Sequence, residues 1–599
     1  MDSLPSHAAR LSGLRQAMRR HGVAACIVPS ADPHLSEYLP AHWQARAWTS
    51  GFTGSAGTLV VTAQDAGLWT DSRYFSQAEQ ELAGSGVRLV KLQVAHTAEH
   101  VTWLAGVVGE GDTVAVAGDS LSLSGREQLR RGLPAHLRTD LDLPGENWPG
   151  RPPLPRAPVV EHPIEYARSS RDEKLGRVRR AMKKLDASHH FVSTLDDIGW
   201  ITNLRGSDVQ YNPVFLAHLL VGPSRTTLFV DRAKVEPALL SRLAADGFDI
   251  ADYATAASAL AGLPAGSRLL VDPSRVVCAL IDAIGPDVTL VQGANPSTML
   301  KARKHAAELD HIREAMRHDG AALARGFHQI ETRLAMGDTL TEVSVDEILR
   351  EARAASPSFV GESFATIAGY QANGALPHYR ATPEHHSTLR PAGLLLIDSG
   401  GQYLGGTTDI TRVLALGEVT DEQKRDATLV LKGMIGLSRA RFPAGASGPQ
   451  LDALARAPLW AAGMDFGHGT GHGVGYFLNV HEGPHGIRPP VQGGALVALE
   501  PGMITSIEPG LYKPGRHGIR HENLAVVVES DETEFGRFLA FETLTLCPFD
   551  RRALEPRLLD PAERAWLDDY HASVRAALAP LLDGAERAWL EWHCAPLAA

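Results

Sequence analysis

Cysteine is scarce in these 599 residues: Cys26, Cys278, Cys547 and Cys594 lie far apart, with no CxxC pair and no disulfide-framework spacing. That scarcity excludes a small disulfide-stapled scaffold and points to a reducing, cytoplasmic setting, with four free thiols in or near cores. Long hydrophobic runs are missing too. No stretch approaches the ~18 apolar residues of a membrane span, so no membrane partner is expected. Residues 1–20 are broken by Ser, His and Arg, which argues against a signal peptide. Positive charge is in deficit, 58 Lys and Arg against 69 Asp and Glu, for a formal charge of −11. Nucleic acid is not an expected partner, because phosphate backbones are held largely by clustered Lys and Arg. With 44% hydrophobic and 21% charged residues the chain is globular in composition, and its length predicts about three to five domains.

Residues 143–158 carry Pro144, Pro149, Pro152, Pro153, Pro155 and Pro158, and residues 285–296 form a weaker Gly/Pro/Asn stretch. Both read as linkers. An internal echo accompanies them. Arg10-Leu11, Leu14-Arg15 and Ala17-Met18 recur as Lys174-Leu175, Val178-Arg179 and Ala181-Met182, each copy leading into a short apolar run, Cys26-Ile27-Val28 and then Phe191-Val192. Further on, Leu68-Trp69-Thr70-Asp71 is answered by Leu228-Phe229-Val230-Asp231. So long a period means duplicated domains, here 1–155 and 156–300. The third domain, 301–599, opens with an amphipathic helix over 307–323, on which Leu309, Ile312, Met316 and Leu323 share a face. Short β-like runs follow at 393–398, 407–414, 496–508 and 523–528, and a helical tail at about 561–590 carries Trp566, Leu567, Tyr570, Val574 and Leu578. The fold class is α/β (α+β). His189-His190 and His385-His386 are expected to face solvent, and 71–74 and 203–206 to be ordinary turns.

Chemistry-bearing residues concentrate in the third domain. The run Leu394-Leu395-Leu396-Ile397-Asp398 ends in an acid, a Gly-rich turn follows, and Asp409 opens the next run. If the chain folds back about Tyr403 and Leu404, the two aspartates oppose each other. Cβ atoms ~4.5–5.5 Å apart would let both reach a pair of metal ions ~3.5–4 Å apart. Taken alone, the segment reads equally well as a polar hairpin with turn aspartates. In Gly467-His468-Gly469-Thr470-Gly471-His472-Gly473-Val474-Gly475, the glycines allow close backbone approach and positive φ, and His481 follows soon after. A phosphate cradle is the competing reading, but no Lys follows to support it. Glu508 ends one apolar run and Glu522 begins another; such acids need a cation or a dense hydrogen-bond shell. Arg520 can satisfy one of them, not all. Asp398, Asp409, His472, Glu508 and Glu522 together offer four carboxylates and one imidazole, which balances two divalent ions. Mn²⁺ suits this oxygen-rich set best, with Co²⁺, Fe²⁺ and Zn²⁺ as alternatives.

The order Asp, Asp, His, Glu, Glu, within Ile397-Asp398-Ser399-Gly400, Gly406-Thr407-Thr408-Asp409, Gly471-His472-Gly473 and His481-Glu482-Gly483-Pro484, closely resembles the pita-bread metallopeptidases. Among them it resembles the long, three-domain Xaa-Pro aminopeptidases (aminopeptidase P), over essentially the whole chain. The resemblance implies two creatinase-like N-terminal domains and a pita-bread catalytic domain with a C-terminal helical extension. It implies that Asp398 chelates one metal, that His472 and Glu508 hold the other, and that Asp409 and Glu522 bridge both. His378 would lie over the metals, His481 near the scissile bond, and His468 and Arg520 at further substrate-binding positions. His521 departs from the pattern, which has an apolar residue there; alternation points it away from Glu522, and an outward-facing side chain is expected.

The implied activity is release of the N-terminal residue from peptides with proline second, by attack of a hydroxide shared between the two metals. His378 and His481 would steady the developing oxyanion and Glu508 would shuttle the proton. A homodimer is the implied assembly. A prolidase-type Xaa-Pro dipeptidase is the alternative; methionine aminopeptidase needs only the last domain, and a metal-free binding module is disfavoured because all five ligand positions are filled.

Overall fold

The two similar leading segments fold as helices of equal length, His7–Arg20 and Arg171–Lys184. Ser6 Oγ accepts the Ala9 N–H at the start of the first, and Ser170 forms a capping box with Glu173 at the start of the second. Leu11, Leu14, Ala17 and Met18 are buried on one, Leu175, Val178 and Met182 on the other. This is a computed structural model, and it describes residues 5–93, 97–490 and 496–597. The first four residues of the polar opening segment therefore lie outside it. The chain divides into two compact units, Met1–Thr298 and Met299–Ala599.

The first unit holds two six-stranded sheets of the same topology. One runs, edge to edge, Arg88–Lys91, Ala66–Thr70, Thr58–Thr62, Ala25–Pro29, Thr113–Ala115 and His136–Arg138. The other runs Phe248–Ala251, Thr226–Phe229, His218–Val221, His189–Val192, Arg268–Val271 and Thr289–Gln292. Pairing sense matches position by position: parallel, then two antiparallel pairs, then two parallel pairs. The echo in the sequence is thus an echo of whole sheets.

Some expectations fail here. The last strand of the second sheet, Thr289–Gln292, lies inside the stretch read as a linker; its four residues pair in parallel with Arg268–Val271 despite flanking Gly and Pro. His190 is fully buried on a central strand, and its Nδ1–H donates to the Leu270 carbonyl at 3.0 Å. His189, on the alternate side of the strand, is half-buried, so only its partner in the pair is enclosed by protein. His385 and His386 are exposed, as expected. Leu204–Arg205 form a short strand and not a turn. All four cysteines are free and buried.

In the second unit the opening helix runs Ala306–Ala335, past the expected end at 323, because Phe327, Ile330 and Leu334 continue its buried face. A six-stranded sheet orders Arg441–Pro443, Gly536–Thr543, Asn523–Thr533, Ile504–Ile507, Gly471–Gly473 and Glu482–Ile487. Of the run 496–508, only Ile504–Ile507 is strand. A three-stranded sheet joins Ile367–Tyr370, Leu394–Ser399 and Ile410–Ala415. The tail forms two helices, Pro561–Leu578 and Gly584–His593. Leu567, Tyr570, Val574 and Leu578 enter the same core as Leu394, Val413, Ile507 and Val527. Among the described residues no helix is long and apolar enough to cross a membrane.

Candidate metal centre

The strand Leu394–Ser399 pairs antiparallel with Ile410–Ala415, and Asp398 faces Thr411, not Asp409. Tyr403 pairs with Gly406, which puts the turn at Leu404 and Gly405, one position later than expected. Moving the turn by one position shifts the register by two residues, and side chains alternate with period two. Asp409 therefore becomes the diagonal neighbour of Asp398 on the same face, still within reach. Both are buried, at 8% and 4% exposure.

His472 sits at the centre of Gly471–Gly473, and its glycines serve close approach alone: no glycine of 467–475 has a left-handed φ. A Cβ at Gly471 would lie 2.0 Å from the Ser506 carbonyl oxygen, and one at Gly473 2.1 Å from that of Glu482. Gly473→Ala must push the His472 strand off its neighbour. We expect destabilisation of about 1–3 kcal/mol in urea unfolding, together with weaker metal binding. Unchanged unfolding and metal content would show that the strands have room to spare.

Imidazole Nδ1 of His472 donates to the Gly473 carbonyl at 3.0 Å, which leaves the Nε2 lone pair free to ligate. Nε2 lies 3.4 Å from Asp409 Oδ2 and 3.4 Å from Glu508 Oε1. Those gaps are long for a hydrogen bond and match two donors that each sit about 2.0–2.2 Å from a common ion. Asp409, His472 and Glu522 present ligand atoms all within 4.8 Å of one another. Ser506 Oγ donates to Glu508 Oε1 at 3.1 Å, and Thr411 Oγ1 donates to Glu522 Oε2 at 2.8 Å. Asp398 Oδ2 accepts from Arg520 Nη2 at 2.5 Å, while its Oδ1 is buried without a hydrogen-bond partner.

Electrostatics report the same crowding. Burial, reinforced by Asp409 and Glu508 against the pull of Arg520, pushes Asp398 up to about 7. Glu522 is raised well above the carboxylate range by burial and by Asp409, Glu508 and Asp398. Burial alone would lower His472, but Asp409 and Glu508 bring it up to about 9. Glu508 is lowered, against its burial, by His472, His468, Arg520 and His481. Protons here do the work that divalent cations would do better: the donor set, its excess negative charge and the orphaned Asp398 oxygen fit a metal pair.

The remaining predicted residues gather around this set. The His481 ring meets His472 edge-on at 4.4 Å between centroids. His468 donates from Nδ1 to the Gly469 carbonyl at 2.7 Å, so its Nε2 accepts the Tyr512 hydroxyl at 2.8 Å. Burial lowers its pKa to about 4. Arg520 donates to Tyr512 Oη at 2.6 Å, to Thr411 Oγ1 at 3.1 Å and to the Pro377 carbonyl at 3.3 Å, the residue before His378. Half-buried His378 thus lies next to a residue fastened to the site. Tyr512, Thr411 and Ser506 are the polar residues that sequence reasoning missed. For Tyr512 the one trace in the sequence is Gly510, two positions earlier: a Cβ there would lie 2.5 Å from the Tyr512 hydroxyl, so the glycine of Glu508-Pro509-Gly510 makes room for it.

His521 is a correction. It does point off the Glu522 side, but into core: it is 1% exposed, edge-on to Phe549 at 5.4 Å, and burial beside Arg412 lowers its pKa to about 3.

With this geometry in place, comparison with known proteins is informative. Residues 310–529 match metallopeptidase family M24, residues 10–144 and 150–308 each match the creatinase/prolidase N-terminal domain, and residues 537–597 match the C-terminal region of the M24 peptidases. The chain is 39% identical to a probable Xaa-Pro aminopeptidase P of Tuber melanosporum, covering 94% of this chain and 95% of that one. It is 38% identical to the protein of the same description from Laccaria bicolor, covering 98% and 93%. Among solved structures, X-prolyl aminopeptidase from Caenorhabditis elegans, described as a cytosolic enzyme with a di-nuclear active site, superposes with a TM-score of 0.93 at 31% identity, over 99% of this chain and all of that one. A prolidase from Pyrococcus horikoshii OT3, at 21% identity and a TM-score of 0.50, spans 63% of this chain and shares the fold.

Proposed function

The chain belongs to the Xaa-Pro aminopeptidase P family of M24 metallopeptidases, and from that premise we propose that it removes the N-terminal residue from peptides whose second residue is proline. The observation that carries this reading is the convergence of Asp409, His472 and Glu522 donor atoms within 4.8 Å, beside Asp398 and Glu508. In this reading Asp398 would hold one metal and His472 and Glu508 the other, with Asp409 and Glu522 serving both. When bound, such a pair supplies a nucleophilic hydroxide at neutral pH and polarises the scissile carbonyl.

The side chains do the rest. His378 and His481 orient the peptide and donate hydrogen bonds to the oxygen on which charge develops. Glu508, held low by His472, His468, Arg520 and His481 despite its burial, is poised as a carboxylate. It takes the proton of the attacking water and passes it to the departing proline nitrogen. The chain Gly469, His468, Tyr512, Arg520, Asp398 fixes the last of these in a single orientation. Proline at the second position gives a scissile amide with no N–H and a fixed φ, which enzymes that grip that N–H cannot hold.

Manganese as the ion, the cytosol as the compartment and a homodimer as the assembly are finer parts of the proposal. The oxygen-rich donor set supports the first, and four buried free thiols support the second. Elemental analysis and sedimentation test the first and third. The activity is tested on an Xaa-Pro-Xaa tripeptide, the matching Xaa-Pro dipeptide and an Xaa-Ala-Xaa control. We expect the tripeptide to lead in kcat/KM by about 100-fold or more. Preference for the dipeptide would move the assignment to a prolidase.

A further inference from the structure

The segment that carries His378 is clasped from behind by one buried acid. Glu342 is the first residue of the helix Glu342–Ala354 and is fully buried. Its Oε1 accepts the Tyr370 N–H at 2.7 Å and Asn373 Nδ2 at 3.0 Å. Its Oε2 accepts the Ser387 N–H at 2.6 Å, the Tyr379 hydroxyl at 2.8 Å and Asn373 Nδ2 at 3.1 Å. Donors from positions 370, 373, 379 and 387 therefore converge on one carboxylate, and the Glu342 N–H returns a bond to the Ser387 carbonyl at 3.1 Å. The helix start favours a negative charge at this place. Buried polar groups of an irregular segment need such partners, and here a single side chain supplies them.

The other side of the same segment is fixed as well. Arg520 holds the Pro377 carbonyl at 3.3 Å, and Gly374 packs so closely on Gly518 that a Cβ at 518 would lie 1.7 Å from the Gly374 oxygen. His378 is thus flanked by Pro377, tied to Arg520, and Tyr379, tied to Glu342. We propose that Glu342 is a positioning residue for His378, setting the height of the imidazole over the metal centre through Tyr379 and Asn373. The proposal rests on the reading of His378 as a substrate-contacting residue.

The test is a double-mutant cycle on the metal-loaded enzyme with an Xaa-Pro-Xaa substrate. Glu342→Gln swaps an acceptor oxygen for an amide facing N–H donors. It should lower kcat by about 10- to 100-fold, the cost of a misplacement near 1 Å, with metal content retained and KM little changed. In a His378→Ala background the same change should alter kcat by less than about twofold, because the two act as a unit. Tyr379→Phe leaves the carboxylate in place and removes the 2.8 Å bond to it, together with the Asn373 Nδ2 contact to the same hydroxyl at 3.1 Å, and decides the matter should Glu342→Gln fold poorly. Its smaller loss must also vanish in the His378→Ala background. Wild-type kcat in Tyr379→Phe and Glu342→Gln, or equal fractional losses in both backgrounds, overturns the proposal. Wild-type kcat in His378→Ala alone overturns instead the reading on which it rests.

Discussion

Replacing Asp409 by Asn should give a protein that folds about as well as the parent without metal and yet turns over no peptide. Asp409 is 4% exposed, and its Oδ2 is 3.4 Å from His472 Nε2. Its charge raises Asp398, Glu522 and His472 at once. Asn keeps the shape and deletes that charge. On the proposed reading the site would lose an anion shared by both metals, so we expect metal content to collapse and kcat/KM to fall by about 10³-fold or more. In the metal-free state the same substitution removes repulsion toward Asp398 and Glu522 but also the attraction to protonated His472, so thermal stability should change little. That combination separates a lost ligand from a damaged fold, for which activity and stability would fall together. Near-normal turnover with metals retained would reject a bridging role for Asp409.

The sequence exposed this centre because each acid interrupts an apolar run, and a buried carboxylate without a cation is too costly to be incidental. Register was harder to see. A Gly-rich turn is compatible with reversal at 403–404 or at 404–405, and the chain takes the second; parity kept Asp398 and Asp409 on one face regardless. His190 and His521 expose a different limit. Alternation tells which side of a strand a residue takes, not whether that side meets water, and both lie against protein. Thr289–Gln292 was masked by its Gly and Pro flanks, whereas the duplicated helices were legible because their buried positions repeat with the helical period. Glu342 carried no motif at all, and Tyr512 none beyond the glycine two positions before it. Their meaning lies in partners brought together by the sheet hairpins and by the return of the 370–387 segment.

Metal affinity should weaken steeply on acidification, while the metal-free protein grows more stable in the same direction. Asp398, at about 7, and Glu522 are acids whose folded values stand above their ordinary ones, and His472 is likewise raised, from 6.5 to about 9. All three therefore bind protons more tightly in the folded state. Their stabilising contribution is complete at low pH and is lost as pH rises through the folded values, roughly from 4 to 9. Glu508 is lowered and acts oppositely, only below its ordinary 4.5. A metal must displace the protons that the raised groups hold. His472 alone should cost about tenfold in affinity per pH unit below 9, hence about 100-fold between pH 8 and pH 6, with Glu522 adding to it. Titration of the chelated protein with Mn²⁺ at both pH values measures this slope. Melting curves with and without the ion should show a metal-induced rise in Tm that is larger at pH 8. A flat affinity, or a metal-free Tm that climbs from pH 6 to pH 8, would refute the assignment of those protons. Because Asp409, together with Glu508, lifts His472 against its burial, the Asn variant should also flatten the metal-free Tm profile in part of that range.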